Sequence, residues 1–183
     1  MPATKIMLIR HAEKPDHKIA GVLTHGEQDE HSLSVQGWQR AGALALWLDP
    51  SHGYIKHPHL APPDHLYAAR YHEGHHSKRC YQTLLPLSEK LGIDINIKFK
   101  NEEFAEMVAH ARARDGIVLI SWHHEKIPEV TREILGAHGD IPVHWPDERF
   151  DVVWVFDAGA KGNYTFTQVP ARLLAGDKAH PIA

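Results

Sequence analysis

The sequence predicts a three-layer α/β/α sandwich with a mainly parallel central sheet. Three observations predict it. Short apolar runs alternate with amphipathic stretches along the chain, the pattern of strands joined by crossover helices. Capping residues precede the amphipathic stretches, and a glycine ends one of them. The 183 residues are 43% hydrophobic and 23% charged, which suits one soluble domain over 1–183 with a buried core.

The elements follow in order. Lys5 to Ile9 reads as a short buried strand. Ser34 caps a helix running to about Leu48, with Trp38, Ala41, Ala45 and Leu48 on one face. His65 to Ala69 reads as a strand. Ser77 caps a second helix with a stripe of Cys80, Leu84, Leu87 and Leu91, ended by Gly92. Asn101 caps a third, with Glu102 and Glu103 in its first turn and Phe104, Met107, Val108 and Ala111 on its apolar face. Gly116 to Ser121 is another buried strand, followed by a helix near Pro128 to Leu135. Val152 to Phe156 and Tyr164 to Val169 are late strands joined by a Gly-containing turn.

Composition narrows the function classes. Lys plus Arg number 20 and Asp plus Glu 23, for a formal charge of −3, so no overall basic field recruits nucleic acid. No apolar run approaches the ~20 residues of a membrane helix. The N-terminus lacks the apolar region and cleavage site of a signal peptide, and the lone Cys80 makes no internal disulfide, so the expected compartment is the cytoplasm. Histidine is abundant at 17 residues, and imidazole is poised for chemistry near neutral pH.

In a parallel α/β sheet, ligands bind beyond the C-terminal strand ends. Arg10-His11-Ala12-Glu13 follows the first strand, Trp122-His123-His124-Glu125 follows the Gly116–Ser121 strand, and Arg79 opens the helix after the His65–Ala69 strand. Two guanidinium forks and two imidazoles at one sheet edge suit a phosphoryl group. Each fork binds two oxygens in a plane, and a neutral imidazole attacks phosphorus.

These residues carry a resemblance. Leu8-Ile9-Arg10-His11-Ala12-Glu13 resembles the first signature of the histidine phosphatase superfamily, whose fold is phosphoglycerate mutase-like. Ser77-Lys78-Arg79-Cys80-Tyr81-Gln82-Thr83 is similar to its second motif, and Val118 to Pro128 to its third. Leu33-Ser34-Val35-Gln36-Gly37-Trp38-Gln39-Arg40-Ala41 is similar to its first helix start. The resemblance implies a phosphatase acting through a phosphohistidine intermediate. It implies His11 as nucleophile, Arg10 and Arg79 as phosphate clamps, and His123 as the second pocket imidazole. His123 is preferred over His124 by counting back from Ile127-Pro128. The sequence departs from the pattern at Ala12, Ala69 and Trp122, and at His124, where one branch carries an Asp proton donor.

The proton donor is the open position. Glu103 is the expected choice, with Glu102, Glu106 and Glu13 in the same regions. No cofactor or catalytic metal is expected, although His72-Glu73-Gly74-His75-His76 and His123-His124-Glu125 offer ligand types. Pro86 stands where a cysteine phosphatase built on Cys80 needs Arg. The expected partner is a phosphorylated small molecule or a phosphohistidine protein, with no nucleic acid and no membrane. The alternatives are a phosphoglycerate mutase-type phosphotransferase and a non-catalytic phospho-ligand binder. Loops at 20–31, 50–63 and 71–76 are expected to set specificity.

Overall fold

The computed structural model describes residues 2–53, 55, 57–71, 77–136 and 140–183, apart from the side chain at 161. The His72 to His76 segment lies outside the described residues.

Six strands form one sheet in the order β3-β2-β4-β1-β5-β6. β1 (Lys5–Arg10), β2 (His65–Ala68), β3 (Ile95–Asn96) and β4 (Ile117–Trp122) run parallel, while β5 (Val152–Ala158) and β6 (Tyr164–Pro170) are antiparallel. The parallel strands read as continuous apolar runs because both their faces are covered. β1 is buried from Ile6 onward and β4 from Val118 onward. β5 and β6 are joined by a short turn, and a short connection permits only antiparallel pairing.

The connections decide the layers. β1 to β2 and β2 to β3 step across the sheet in one direction, and β3 to β4 steps back. Right-handed crossovers therefore place α1 (Val35–Leu48) and α2 (Arg79–Leu91) on one face and α3 (Phe104–Arg112) on the other. α1 packs on α2, and α3 packs on α4 (Ile127–Leu135). The chain leaves β1 and β4, which are neighbours, toward opposite faces, so a crevice opens beyond their C-terminal ends.

Helix boundaries follow capping chemistry. Ser34 caps α1 as expected, its hydroxyl accepting from Gly37 N at 3.1 Å. Gly37 also lets α1 approach the chain after β1, because a Cβ there would sit 2.5 Å from Glu13 O. Gly92 ends α2 in the left-handed region at φ 68°. Two caps differ from expectation. α2 starts at Arg79, with the Ser77 hydroxyl accepting from Arg79 N at 3.3 Å. α3 starts at Phe104, not at Asn101, because residues 100–103 close a separate turn in which Glu103 N donates to Lys100 O. The two-residue β3 carried no periodic signal.

A buried ion network closes the C-terminal segment over the sheet edge. Arg40 on α1 forks onto Glu13 (2.8 Å) and Asp177 (2.7 Å), and its side chain is only 4% exposed. Asp177 also accepts from Leu173 N and Leu174 N. Arg149 pairs with Asp151 at 2.6 Å and donates to His180 O. Removing the cation would strand two buried carboxylates. Arg40→Met should therefore destabilise the fold by about 3–5 kcal/mol in urea unfolding, whereas a loss under about 1 kcal/mol would mean the network contributes little.

Candidate active site

The β1–β4 ladder sets the site. Arg10 pairs in register with Trp122, and His11 N continues the ladder to Trp122 O at 3.2 Å. Trp122 is the last residue of β4, so His123 is the first side chain beyond that strand, opposite His11. The two rings meet edge-to-face with centroids 5.6 Å apart. Register thus selects His123. His124 opens the following 3₁₀ turn and points its Nε2 at Asp147 Oδ1, 2.7 Å away.

The tautomer of His11 is fixed by its neighbour. His11 Nδ1 lies 2.7 Å from Ala12 O, and a carbonyl only accepts, so Nδ1–H donates and Nε2 keeps its lone pair. The ring is 2% exposed. Burial pushes its pKa well below the ordinary imidazole value, and the Arg10 and Arg79 cations push the same way, against the Ala12 hydrogen bond. His123 is also lowered, first by burial, with nearby Glu125 opposing. Both rings are therefore neutral near pH 7.

Arg10 is buried and held on one side only. Its Nη1 donates to the carbonyls of Asp147 (2.6 Å), Pro146 (3.2 Å) and Arg149 (3.3 Å). Its guanidinium lies 4.1 Å over the Phe150 ring. Its Nε and Nη2 are buried without a partner among the described residues. Burial brings its pKa down to about 10, against the pull of Asp147 and Glu125. Arg79 behaves alike: its Nε is buried without a partner and its pKa is lowered by burial. Two desolvated cations with unused donors favour an anion between them.

The motif residues around the four side chains act as ties. Thr83 Oγ1 accepts from Ala12 N (2.8 Å) and donates to Arg79 O (2.7 Å), coupling α2 to the end of β1. Gln82 accepts from Leu33 N (2.9 Å) and donates to Ser32 Oγ (2.8 Å). Ser34 N and Oγ both donate to Glu13 O. Trp122, a bulky departure from the resembled pattern, finds its room inside the core at 0% exposure.

The structure brings Arg10, His11, Arg79 and His123 together. Glu103 is placed elsewhere: its carboxylate accepts from Lys100 N at 2.9 Å and closes the turn before α3. Glu13 is committed to Arg40. The carboxylates facing His123 are Glu102 and Glu125. They line a cavity of about 360 Å³ with Arg70, Ser77, Lys100, Asn101 and His123. Sequence reasoning missed the Trp145–Asp151 segment that cradles Arg10. Trp145 anchors it, its indole N–H donating to Arg149 O at 2.8 Å, and the dense run of Trp, Pro, Asp, Arg and Phe was its only signal. Among the described residues, no group of three or more His, Cys, Asp or Glu side chains is placed to hold a metal ion. Among the described residues, no helix is long and apolar enough to cross a membrane.

The neutral, Nδ1-protonated state of His11 is directly observable. Nitrogen NMR of the imidazoles should show His11 Nε2 unprotonated down through pH 6.5, the ordinary value. The sign for stability follows, because the unfolded chain takes up these protons first. Stability should fall as pH drops below the unfolded value of about 6.5. Titration of His11 at or above 6.5 would contradict the geometry.

No protein-family profile matches the chain, and no curated protein matches it by sequence. Solved structures do match in fold. One, described as the phosphohistidine phosphatase SixA of Agrobacterium tumefaciens, aligns with TM-score 0.52 and 18% identity over 90% of this chain and 96% of that one. The mycobacterial glucosyl-3-phosphoglycerate phosphatase bound to inorganic phosphate aligns with TM-score 0.52 and 12% identity over 90% and 95%. The protein histidine phosphatase SixA bound to tungstate gives 0.52 and 14% over 91% and 97%. The chain thus shares the fold of these solved structures, the phosphoglycerate mutase-like fold.

Proposed function

We propose that this protein is a phosphatase that hydrolyses a phosphate monoester or a phosphohistidine through a phospho-His11 intermediate. The observation that carries the reading is the pairing of a neutral, oriented His11 with a buried Arg10 whose Nε and Nη2 have no partner among the described residues. The fold neighbours named as phosphohistidine and glucosyl-3-phosphoglycerate phosphatases support it.

In this reading the phosphoryl group sits among Arg10, Arg79 and His123, whose donors take its non-bridging oxygens. His11 Nε2 attacks phosphorus in line as the bond to the leaving group breaks. The two guanidinium groups offset the charge on the oxygens through transfer, so the chemistry calls on no metal. Water then attacks phospho-His11, the N–P electron pair returns to Nε2, and inorganic phosphate leaves.

The donor that protonates the leaving group is Glu125 rather than Glu103. Glu125 follows His123 by two residues in the 3₁₀ turn, lines the cavity, and acts electrostatically on Arg10, Arg79 and His123 together. In the second step its carboxylate accepts a proton from water.

Leaving-group dependence tests these roles. His11→Ala should abolish turnover of every ester while the fold persists. Glu125→Gln should cut turnover of an alkyl phosphate by about 10²–10⁴-fold, the usual worth of general acid catalysis, yet spare p-nitrophenyl phosphate, whose phenolate leaves without a proton. Retained activity in His11→Ala would refute the nucleophile. A uniform loss in Glu125→Gln would refute the donor.

A further inference from the structure

The loop that holds Arg10 is anchored firmly at both ends. Trp145 begins it, buried in the core, and Arg149 closes it with bonds to Asp151 and His180 O. The tip between them carries Asp147. Its backbone O takes the shortest of Arg10's hydrogen bonds, 2.6 Å from Nη1. Among the described residues, the Asp147 carboxylate pairs with one side chain, that of His124.

His124 reaches this tip from the opposite wall of the cup. It opens the 3₁₀ turn beyond β4, between His123 and Glu125. Those two neighbours line the cavity, whereas His124 does not. Its Nε2 instead lies 2.7 Å from Asp147 Oδ1. Burial lowers its pKa, and the Arg10 cation pushes the same way against Glu125 and Asp147, so the ring is neutral near pH 7. A carboxylate only accepts, so the single proton of that neutral ring sits on Nε2. The same contact holds the Asp147 carboxyl below its ordinary range.

The pair is not a device for folding stability. The Asp147 side chain is 77% exposed, and exposed pairs contribute little to the folded state. Its consequence is positional. Arg10 and His123 end neighbouring strands, but the carbonyl that aims Arg10 comes from a loop tip more than a hundred residues away. The His124–Asp147 contact ties that tip to the turn that follows His123.

We infer that His124 is a positioning residue for the phosphoryl clamp: its contact with Asp147 fixes the loop tip whose carbonyl orients Arg10 toward the anion. At the position where one branch of the resembled family carries a proton donor, this chain then carries a latch. The inference rests on the phosphatase reading for its kinetics, and on the Arg10 geometry alone for anion binding.

Four variants test it: His124→Ala, Asp147→Ala, the two combined, and His124→Gln, whose amide N–H replaces Nε2–H. Inorganic phosphate affinity is measured by calorimetry, and kcat/KM on p-nitrophenyl phosphate and glycerol phosphate, beside urea unfolding. Each alanine variant should weaken phosphate binding and lower kcat/KM by about tenfold, equally on both esters, as a misplaced binding group does. The urea midpoint should not move. The combined variant should match the single ones within about twofold, because all three lack the same contact. His124→Gln should recover to within about twofold of wild type. Losses that multiply in the combined variant, a Gln variant as poor as Ala, or losses that track a lowered urea midpoint would each overturn the inference. So would a loss confined to glycerol phosphate, which would make His124 the proton donor. If the wild-type protein turned over neither ester while His124→Ala still weakened phosphate binding, the phosphatase reading would fall and the latch would stand. No phosphate binding by the wild-type protein would overturn both.

Discussion

A buried guanidinium that lacks a carboxylate is the constraint on which this structure turns. Three arginines are almost wholly buried: Arg10, Arg40 and Arg149. Arg40 and Arg149 each meet a carboxylate, and Arg40's pKa is raised by that company. Among the described residues, Arg10 meets carbonyls and an aromatic ring and no carboxylate at ion-pair distance. Carbonyls orient a cation without neutralising it, so its positive charge stays available to an incoming anion. A carboxylate in their place would satisfy Arg10 and close the site.

The same charge governs His11. A protonated imidazole beside Arg10 and Arg79 would add a third cation to a desolvated pocket, so the ring stays neutral. Neutrality is what the proposed nucleophile needs, and the Ala12 carbonyl holds the remaining proton on Nδ1, which leaves Nε2 its lone pair. Much of the surrounding sequence serves this arrangement at one remove. Thr83, Gln82, Ser34 and Gly37 fix the distances between β1, α1 and α2. His124 and Trp145 fix the loop that holds Arg10.

The sequence made the parallel half of the sheet legible because buried strands are continuous apolar runs that end where chemistry begins. Arg10, His11, Arg79 and His123 were readable as strand-end and helix-start residues. Their company with Phe150 and the carbonyls of residues 146, 147 and 149 was not, since those contacts join segments over a hundred residues apart and leave no periodic trace. The choice among glutamates was not legible for a local reason. Glu102, Glu103 and Glu125 are alike in type, and only the folded chain shows Glu103 engaged by the turn at Lys100 N while Glu102 and Glu125 line the cavity. Histidine abundance gave little guidance. His65 and His110 pair with Asp115 and Tyr67, while His11 and His123 form the cup's imidazole pair among the described residues.

The central claim is that phosphorus becomes bonded to His11. Rapid acid-free quenching during turnover of a radiolabelled phosphate ester, followed by peptide mapping, measures it directly. The account predicts label that is stable to base, lost in acid and confined to the peptide carrying His11. Turnover with no protein-bound label, or label on any other residue, would contradict it.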